Sequence, residues 1–257
     1  MSPRLLVLGG VDPCGGAGIT ADALVAAHHG ARALPVPLVL TEQNRRGFRR
    51  AHAVDEVVWG GMLDAVLGDG EVHAVKVGLL ADAAQLRCLV RRLSPLRGRV
   101  PIVVDPVLSA TAGGLEAGQA LAVAYRDELA PLGVVLTPNA PELLALAAGD
   151  PAVLLHRGAT AVLRKGGHDE GESVVDELFT ASGRVAFRRR RLAVGRVHGT
   201  GCALATGIAC LLAAGAPLAT ACERAAAWLF AQLEALGPAP TGPASLPRDL
   251  PFVQASR

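Results

Sequence analysis

A three-layer α/β/α sandwich around a mostly parallel central sheet is the fold class that this 257-residue sequence predicts. Three observations carry the expectation. Short apolar runs alternate with longer segments of helical period, the β-α-β-α rhythm of doubly wound sheets. The runs are rich in Val and Leu and lack polar alternation, as strands buried on both faces do. Polar and small residues gather just after run upon run, where the carboxyl ends of parallel strands place a ligand site.

The strand runs fall at 5–9, 33–40, 74–77, 101–104, 134–136 and 159–163. Helices are predicted between them at 17–29, 55–67, 83–93, 117–128 and 141–147, with a further short one at 150–157. In the first helix Thr20, Ala21, Leu24, Val25 and His28 form one stripe at helical spacing. Segments 173–179 and 184–192, with Gly183 between them, read as a β-hairpin added at one side. Two helices, 201–214 and 218–235, follow it. Their stretch 199–222 has no charge, and a membrane span needs about 20 mainly apolar residues. The Gly215-Ala216-Pro217 break favours two buried helices instead. The chain reads as one domain over 1–257, ending in a Pro-rich tail at 238–257 that is expected to be extended or mobile.

Composition limits the function classes. Hydrophobic residues make up 51% and charged residues 19%, which excludes disorder as the main state. Aromatics are only 3% and there are 30 glycines, so the core must be built from Ala, Val and Leu with close backbone approaches. A net charge of +2 is too even for a protein that coats nucleic acid. The five cysteines are scattered and odd in number, without a Cys-x-x-Cys pair, which reads as reduced thiols in a cytoplasmic protein. The N-terminal apolar run is too short for a signal-peptide core, so no membrane partner is expected.

Among the motifs, His198-Gly199-Thr200-Gly201-Cys202 opens a long helix after an extended segment. Glycines let backbone N–H groups converge, and the free helix start adds positive dipole. Together they would make an anion hole suited to a moving phosphoryl group, although a tight helix start without a ligand would read the same way. Cys202, in the first turn, is expected to have a lowered pKa. It could accept a proton from a substrate hydroxyl or simply pack.

Gly16-Ala17-Gly18-Ile19-Thr20-Ala21 matches a dinucleotide fingerprint, but Val11 to Gly15 separate it from its strand, so a loop folding over a small substrate fits better. A Walker A pattern is absent from the sequence, as are His-Glu-x-x-His and Gly-x-Ser-x-Gly. His28-His29 reads as a helix end rather than a metal site. Arg45, Arg46, Arg49 and Arg50 around Phe48 read as a solvated loop that could flank the site mouth. The run Arg188 to Arg191 reads as the solvated face of an edge strand.

Taken in order, the motifs resemble one family: the hydroxymethylpyrimidine/phosphomethylpyrimidine kinases of thiamine biosynthesis, in the ribokinase-like superfamily. The stretches that carry the likeness begin with Gly10-Val11-Asp12-Pro13-Cys14-Gly15-Gly16-Ala17-Gly18 and Thr41-Glu42-Gln43-Asn44. Lys76-Val77-Gly78-Leu79, Val104-Asp105-Pro106-Val107 and Thr137-Pro138-Asn139-Ala140-Pro141-Glu142 follow. Lys165-Gly166-Gly167-His168 and His198-Gly199-Thr200-Gly201-Cys202 complete the set.

The resemblance implies a ribokinase-like fold, ATP with Mg2+, and a homodimer; it leaves a K+ requirement open. By the same likeness Gln43 would hydrogen-bond the aminopyrimidine, with Gly10, Ala17, Leu79 and Val107 lining its pocket and Asp22 helping to fix it. Asn139 and Glu142 would hold the magnesium–triphosphate region through water, so that no side chain ligates the metal directly. Lys165 would neutralise phosphate charge, and Asp105 would close the strand end near metal or phosphates. Gly199, Thr200 and Gly201 would form the anion hole beside Cys202.

Three departures from the family pattern stand out. Thr111-Ala112-Gly113 replaces a Lys-Ser-Gly, Leu79 replaces a methionine, and the interval from Asn139 to Lys165 is short. Two other functions compete with the pyrimidine kinase: a pyridoxine-type vitamin kinase, and a non-catalytic pyrimidine-binding sensor.

Overall fold

Alternation along the first strand decides the two sides of the sheet. In the computed structural model, which describes residues 2–44, 47–108, 118–194, 197–237 and 244–245, β1 spans Arg4–Val11. Successive side chains on a strand point to opposite faces. Leu6 and Leu8 enter one core with Trp59, Leu63, Leu86, Leu89, Leu143 and Leu154. Leu5 and Val7 enter the other with Ile19, Ala26, Leu204, Ile208, Ala221 and Ala225. Each fully buried leucine contributes roughly 1.5–3 kcal/mol.

The first core is covered by α2 (Glu56–Gly68), α3 (Ala83–Leu93), α4 (Gln119–Ala124), α5 (Ala140–Ala147) and α6 (Pro151–His156). The second is covered by α1 (Gly18–His28), α7 (Thr200–Ala213) and α8 (Leu218–Ala235). The sheet between them runs β3-β2-β1-β4-β5-β6-β7-β8-β9. Its parallel centre comprises β2 (Arg32–Asn44), β1, β4 (Ala74–Val77), β5 (Ile102–Val104), β6 (Val135–Leu136) and β7 (Ala161–Arg164). β3 (Gly47–Ala53) pairs antiparallel at one edge, and the hairpin of β8 (Ser173–Thr180) and β9 (Gly183–Arg190) at the other. A two-residue strand β10 (Val197–His198) pairs in parallel with β11 (Ala244–Ser245). The predicted three-layer, mostly parallel class is the one found.

Two elements differ from the sequence reading. The arginine-rich segment expected as a loop is strand β3, paired with the prolonged end of β2 so that Gln43 lies opposite Phe48. Arg45 and Arg46 lie outside the described residues. The helix expected over 117–128 is α-helical only at Gln119–Ala124, then widens into a π turn at Tyr125–Leu129, which keeps Tyr125 and Leu129 both buried. Thr111-Ala112-Gly113 and, apart from Ala244 and Ser245, the Pro-rich tail lie outside the described residues.

Candidate active site

The carboxyl ends of β1, β2, β4, β5, β6 and β7 open into a cleft of about 630 Å³. Thirteen of the fourteen residues singled out from the sequence line it: Gly10, Ala17, Gln43, Leu79, Asp105, Val107, Asn139, Glu142, Lys165, Gly199, Thr200, Gly201 and Cys202. The fourteenth, Asp22, is fully buried and does not reach the cleft; it bonds Lys76, which does.

Backbone conformation builds the anion-hole end. Gly199 caps α7 with φ of +86°, in the left-handed region, and no side chain caps the helix. A Cβ at this position would sit 1.9 Å from the Gly16 carbonyl oxygen, so only glycine allows the approach. The loop after β1 is therefore seated directly against the start of α7. Asp12 holds that loop, accepting from Cys14 N at 2.9 Å and Ala17 N at 3.0 Å, and meets His198 Nε2 at 3.3 Å. Burial works to raise the Asp12 carboxyl, but the hydrogen bond from His198 and the backbone N–H groups outweigh it and leave the group below its ordinary value. No side chain caps the N–H groups at the α7 start, and Gly199 to Cys202 line the cleft at the positive end of this 14-residue helix.

Opposite lies a charged cluster from three strand ends. Lys165 Nζ is 2.6 Å from Asp105 Oδ1 and 3.7 Å from Glu142 Oε2. Burial opposes charge on Lys165, yet Asp105 and Glu142 raise its pKa above the ordinary lysine value. Glu142 is pushed up to about 6, first by burial and against the pull of Lys165. Asn139 and Glu142 form a capping box on α5, with Asn139 N donating to Glu142 Oε2 and Glu142 N donating to Asn139 Oδ1, both at 2.8 Å. Gly201 closes the gap between the halves: a Cβ there would lie 3.1 Å from Asp105 Oδ2 and 3.2 Å from Lys165 Nζ.

This donor set fits magnesium carried by phosphates. Asn139 and Glu142 spend part of their bonding on the helix start, and Asp105 spends part on Lys165. What remains are carboxylate and amide oxygens that can meet the waters of a hydrated ion.

Two sequence expectations are corrected here. Cys202 was expected to have a lowered pKa as a first-turn helix residue. Burial instead pushes its thiol up to about 12, with Asp22 and Asp105 adding to the rise against Lys76 and the Gly18 N–H. The helix start is outweighed by desolvation and two carboxylates. The second correction concerns Arg188 to Arg191, which are not simply a solvated face. Arg189, Arg190 and Arg191 line the cleft; Arg189 meets Asp176 at 3.4 Å, Arg190 lies 5.4 Å over the Phe230 ring, and Arg191 donates to the Gly171 carbonyl at 2.7 Å.

Sequence reasoning gives no role to Lys76, places Phe48 only within an arginine cluster that could flank the site mouth, and misses the apolar α8 wall of Leu229, Phe230 and Leu233; all of these line the cleft. A lone lysine within the apolar run of β4 was the signal for the first. His28 and His29 pack against Trp228 at ring separations of 5.3 and 5.0 Å, at the end of α1, as the helix-end reading expected.

Phosphoryl transfer to a small acceptor is the chemistry this geometry allows, and the class it defines is a ribokinase-like kinase. The phosphomethylpyrimidine kinase family model matches residues 12–243, and the chain belongs to that family. It is 35% identical over 246 residues to the hydroxymethylpyrimidine/phosphomethylpyrimidine kinase of Rhizobium meliloti, covering 91% of this chain and 92% of that protein. Among solved structures, the phosphomethylpyrimidine kinase of Clostridium difficile is 26% identical with a TM-score of 0.77, over 92% of this chain and all of that one (100%). Pyridoxal kinase of Bacillus subtilis in complex with ADP shares the fold, with a TM-score of 0.82 at 24% identity over 90% of this chain and 92% of that one.

Proposed function

We propose that this chain transfers the γ-phosphoryl group of ATP to the hydroxymethyl oxygen of 4-amino-5-hydroxymethyl-2-methylpyrimidine, and a second phosphoryl group to the resulting monophosphate. The observation that carries the reading is the meeting of the α7 start, Lys165 and Gln43 in one cleft. Gln43 offers an amide that both donates and accepts, which matches an aminopyrimidine edge. Gly10, Ala17, Leu79 and Val107 supply a small aliphatic pocket around it, and Phe48 adds a ring.

Transfer of this kind needs positioning and charge neutralisation more than a strong base. Lys165 and the α7 N–H groups neutralise the moving phosphoryl group; its bond to the acceptor oxygen forms as its bond to the leaving ADP breaks, and the hydroxyl proton passes to an oxygen of the transferred phosphoryl group. Cys202 rests as a thiol beside the acceptor hydroxyl and orients it. Magnesium, when bound, shields the phosphate charges, and Asn139 and Glu142 would hold its water shell. Arg190 and the apolar wall of α8 suit a purine nucleotide. The 257 residues form one kinase domain that works as a homodimer in the cytoplasm. In the described residues no helix is long and apolar enough to cross a membrane.

An ADP-release assay with the free alcohol, the monophosphate and pyridoxine in parallel tests the reading. Turnover of both pyrimidines is expected, with pyridoxine at least about tenfold poorer in kcat/KM. Binding heat without ADP release would favour a sensor, and equal or better turnover of pyridoxine would favour the other vitamin.

A further inference from the structure

Beneath the first turn of α7 lies a charge that the phosphate machinery above does not use. Lys76 is 0% exposed in β4, between Val75 and Val77. A lysine removed from water is costly unless its charge is matched. Its Nζ donates to Asp22 Oδ2 at 2.6 Å, and Thr206 Oγ1 donates to Asp22 Oδ1 at 2.7 Å. One carboxylate is thus held by β4 and α7 together, while itself belonging to α1.

As a fastening, such a pair is weak: apolar residues of similar volume often hold a core as well or better. Its place in the molecule points elsewhere. Thr206 follows Cys202 by one helical turn, so the two side chains share a face of α7. The ion pair bonded to Thr206 therefore lies under Cys202. Lys76 also lines the cleft, and a Cβ on Gly78 would fall 2.8 Å from its Nζ, so glycine at the end of β4 leaves room for the ammonium. The charged groups acting on Cys202 are Lys76 from β4, Asp22 from α1, Asp105 from the end of β5 and Lys165 from the end of β7, with the Gly18 N–H bonded to the sulfur. Among those that favour a thiolate, Lys76 acts most strongly.

We propose that Lys76 is a positioning residue for the transfer: held by Asp22, which Thr206 also bonds, its ammonium stands beneath the first turn of α7 and sets the electrostatic polarity of the acceptor end of the cleft. The proposal rests on the reading that Cys202 stands beside the acceptor hydroxyl. Its test reads the thiol directly and is separable from turnover.

The intact protein is alkylated with iodoacetamide at a series of pH values, and the peptide carrying Cys202 is followed by mass spectrometry, because the exposed Cys14 would dominate a bulk thiol count. In K76M the Cys202 rate at a given pH below its midpoint is expected to fall about tenfold or more. In D22N it is expected to rise, because Lys76 then faces one carboxylate fewer in competition with the thiolate. A pair that only held α1, β4 and α7 together would loosen in both variants and move both rates in the same direction. Opposite shifts sustain the proposal; shifts in one direction, or an unmoved rate in either variant, overturn it. Should K76M fail to fold, D22N decides alone, since asparagine keeps the volume and an acceptor for Thr206: a faster rate sustains the proposal, and a slower or unchanged one overturns it. Opposite shifts together with normal turnover in C202A would instead overturn the acceptor-end reading and leave the charge coupling intact.

Discussion

Lys165 and Asp105 meet at 2.6 Å across the ends of β7 and β5, each with its side chain almost wholly withdrawn from solvent. The contact fixes a cation against Gly201 in the first turn of α7, where an added Cβ would lie 3.2 Å from Lys165 Nζ. Charge on the lysine is favoured by Asp105 and Glu142, which together outweigh the burial that opposes it.

Replacing Lys165 by methionine is expected to act twice. Turnover falls by about a hundredfold or more, as when a preorganised stabilising group is lost. Stability falls by about 3–5 kcal/mol, because Asp105 remains buried without its partner. The sign of the pH dependence follows from the raised lysine pKa. The contribution of the pair is complete below the unfolded lysine value near ~10.4 and is lost as pH rises through the folded value. Steady-state kinetics and denaturant titration at neutral and alkaline pH measure both effects.

Glu142 governs the acid side. Its folded value of about 6 exceeds the ordinary 4.5, so the folded protein takes up this proton before the unfolded chain does. Acidification through this range therefore adds stability from this group while removing the charge that would meet the hydrated metal. kcat/KM for MgATP is expected to fall below a pH of about 6 in the wild type. In E142Q, which keeps the hydrogen bond to Asn139 N, that acid limb should flatten at a lower plateau. A pH–rate profile of the two proteins decides it.

For Cys202, substitution by alanine is expected to lower kcat by well over tenfold, as loss of a group that orients the acceptor does, while pyrimidine binding stays largely intact. Near-normal turnover in this variant would remove the thiol from the mechanism. Because the thiol is pushed up to about 12, a serine at this position should retain more activity than alanine does.

Much of this was legible in the sequence, and the exceptions have physical causes. The central strands were visible because burial on both faces leaves only apolar residues in them, as in Leu5 to Leu8. Position after a strand end located nine cleft residues, and the glycine-rich start of α7 located the other four. Strand β3 escaped notice because its pairing with β2 is set by backbone hydrogen bonds across a hairpin, while its four-residue core of Phe48, Arg49, Arg50 and Ala51 reads as a charged loop. The state of Cys202 was misjudged because a local rule about helix starts cannot register Asp22, which comes from α1, or Asp105, from the end of β5. The role of Lys76 is hidden in the sequence because its partner Asp22 stands 54 positions away. Such long-range pairings are where single-sequence reasoning ends.

The central claim is that the backbone amides from Gly199 to Cys202 receive the moving phosphoryl group. A crystal structure with a non-hydrolysable ATP analogue, magnesium and hydroxymethylpyrimidine tests it most directly. The account predicts the terminal phosphate oxygens within hydrogen-bond reach, about 2.7–3.2 Å, of those amides, with the hydroxymethyl oxygen beside Cys202 Sγ and the pyrimidine against Gln43. A terminal phosphorus lying away from the start of α7, or a pyrimidine bound elsewhere in the molecule, would contradict it.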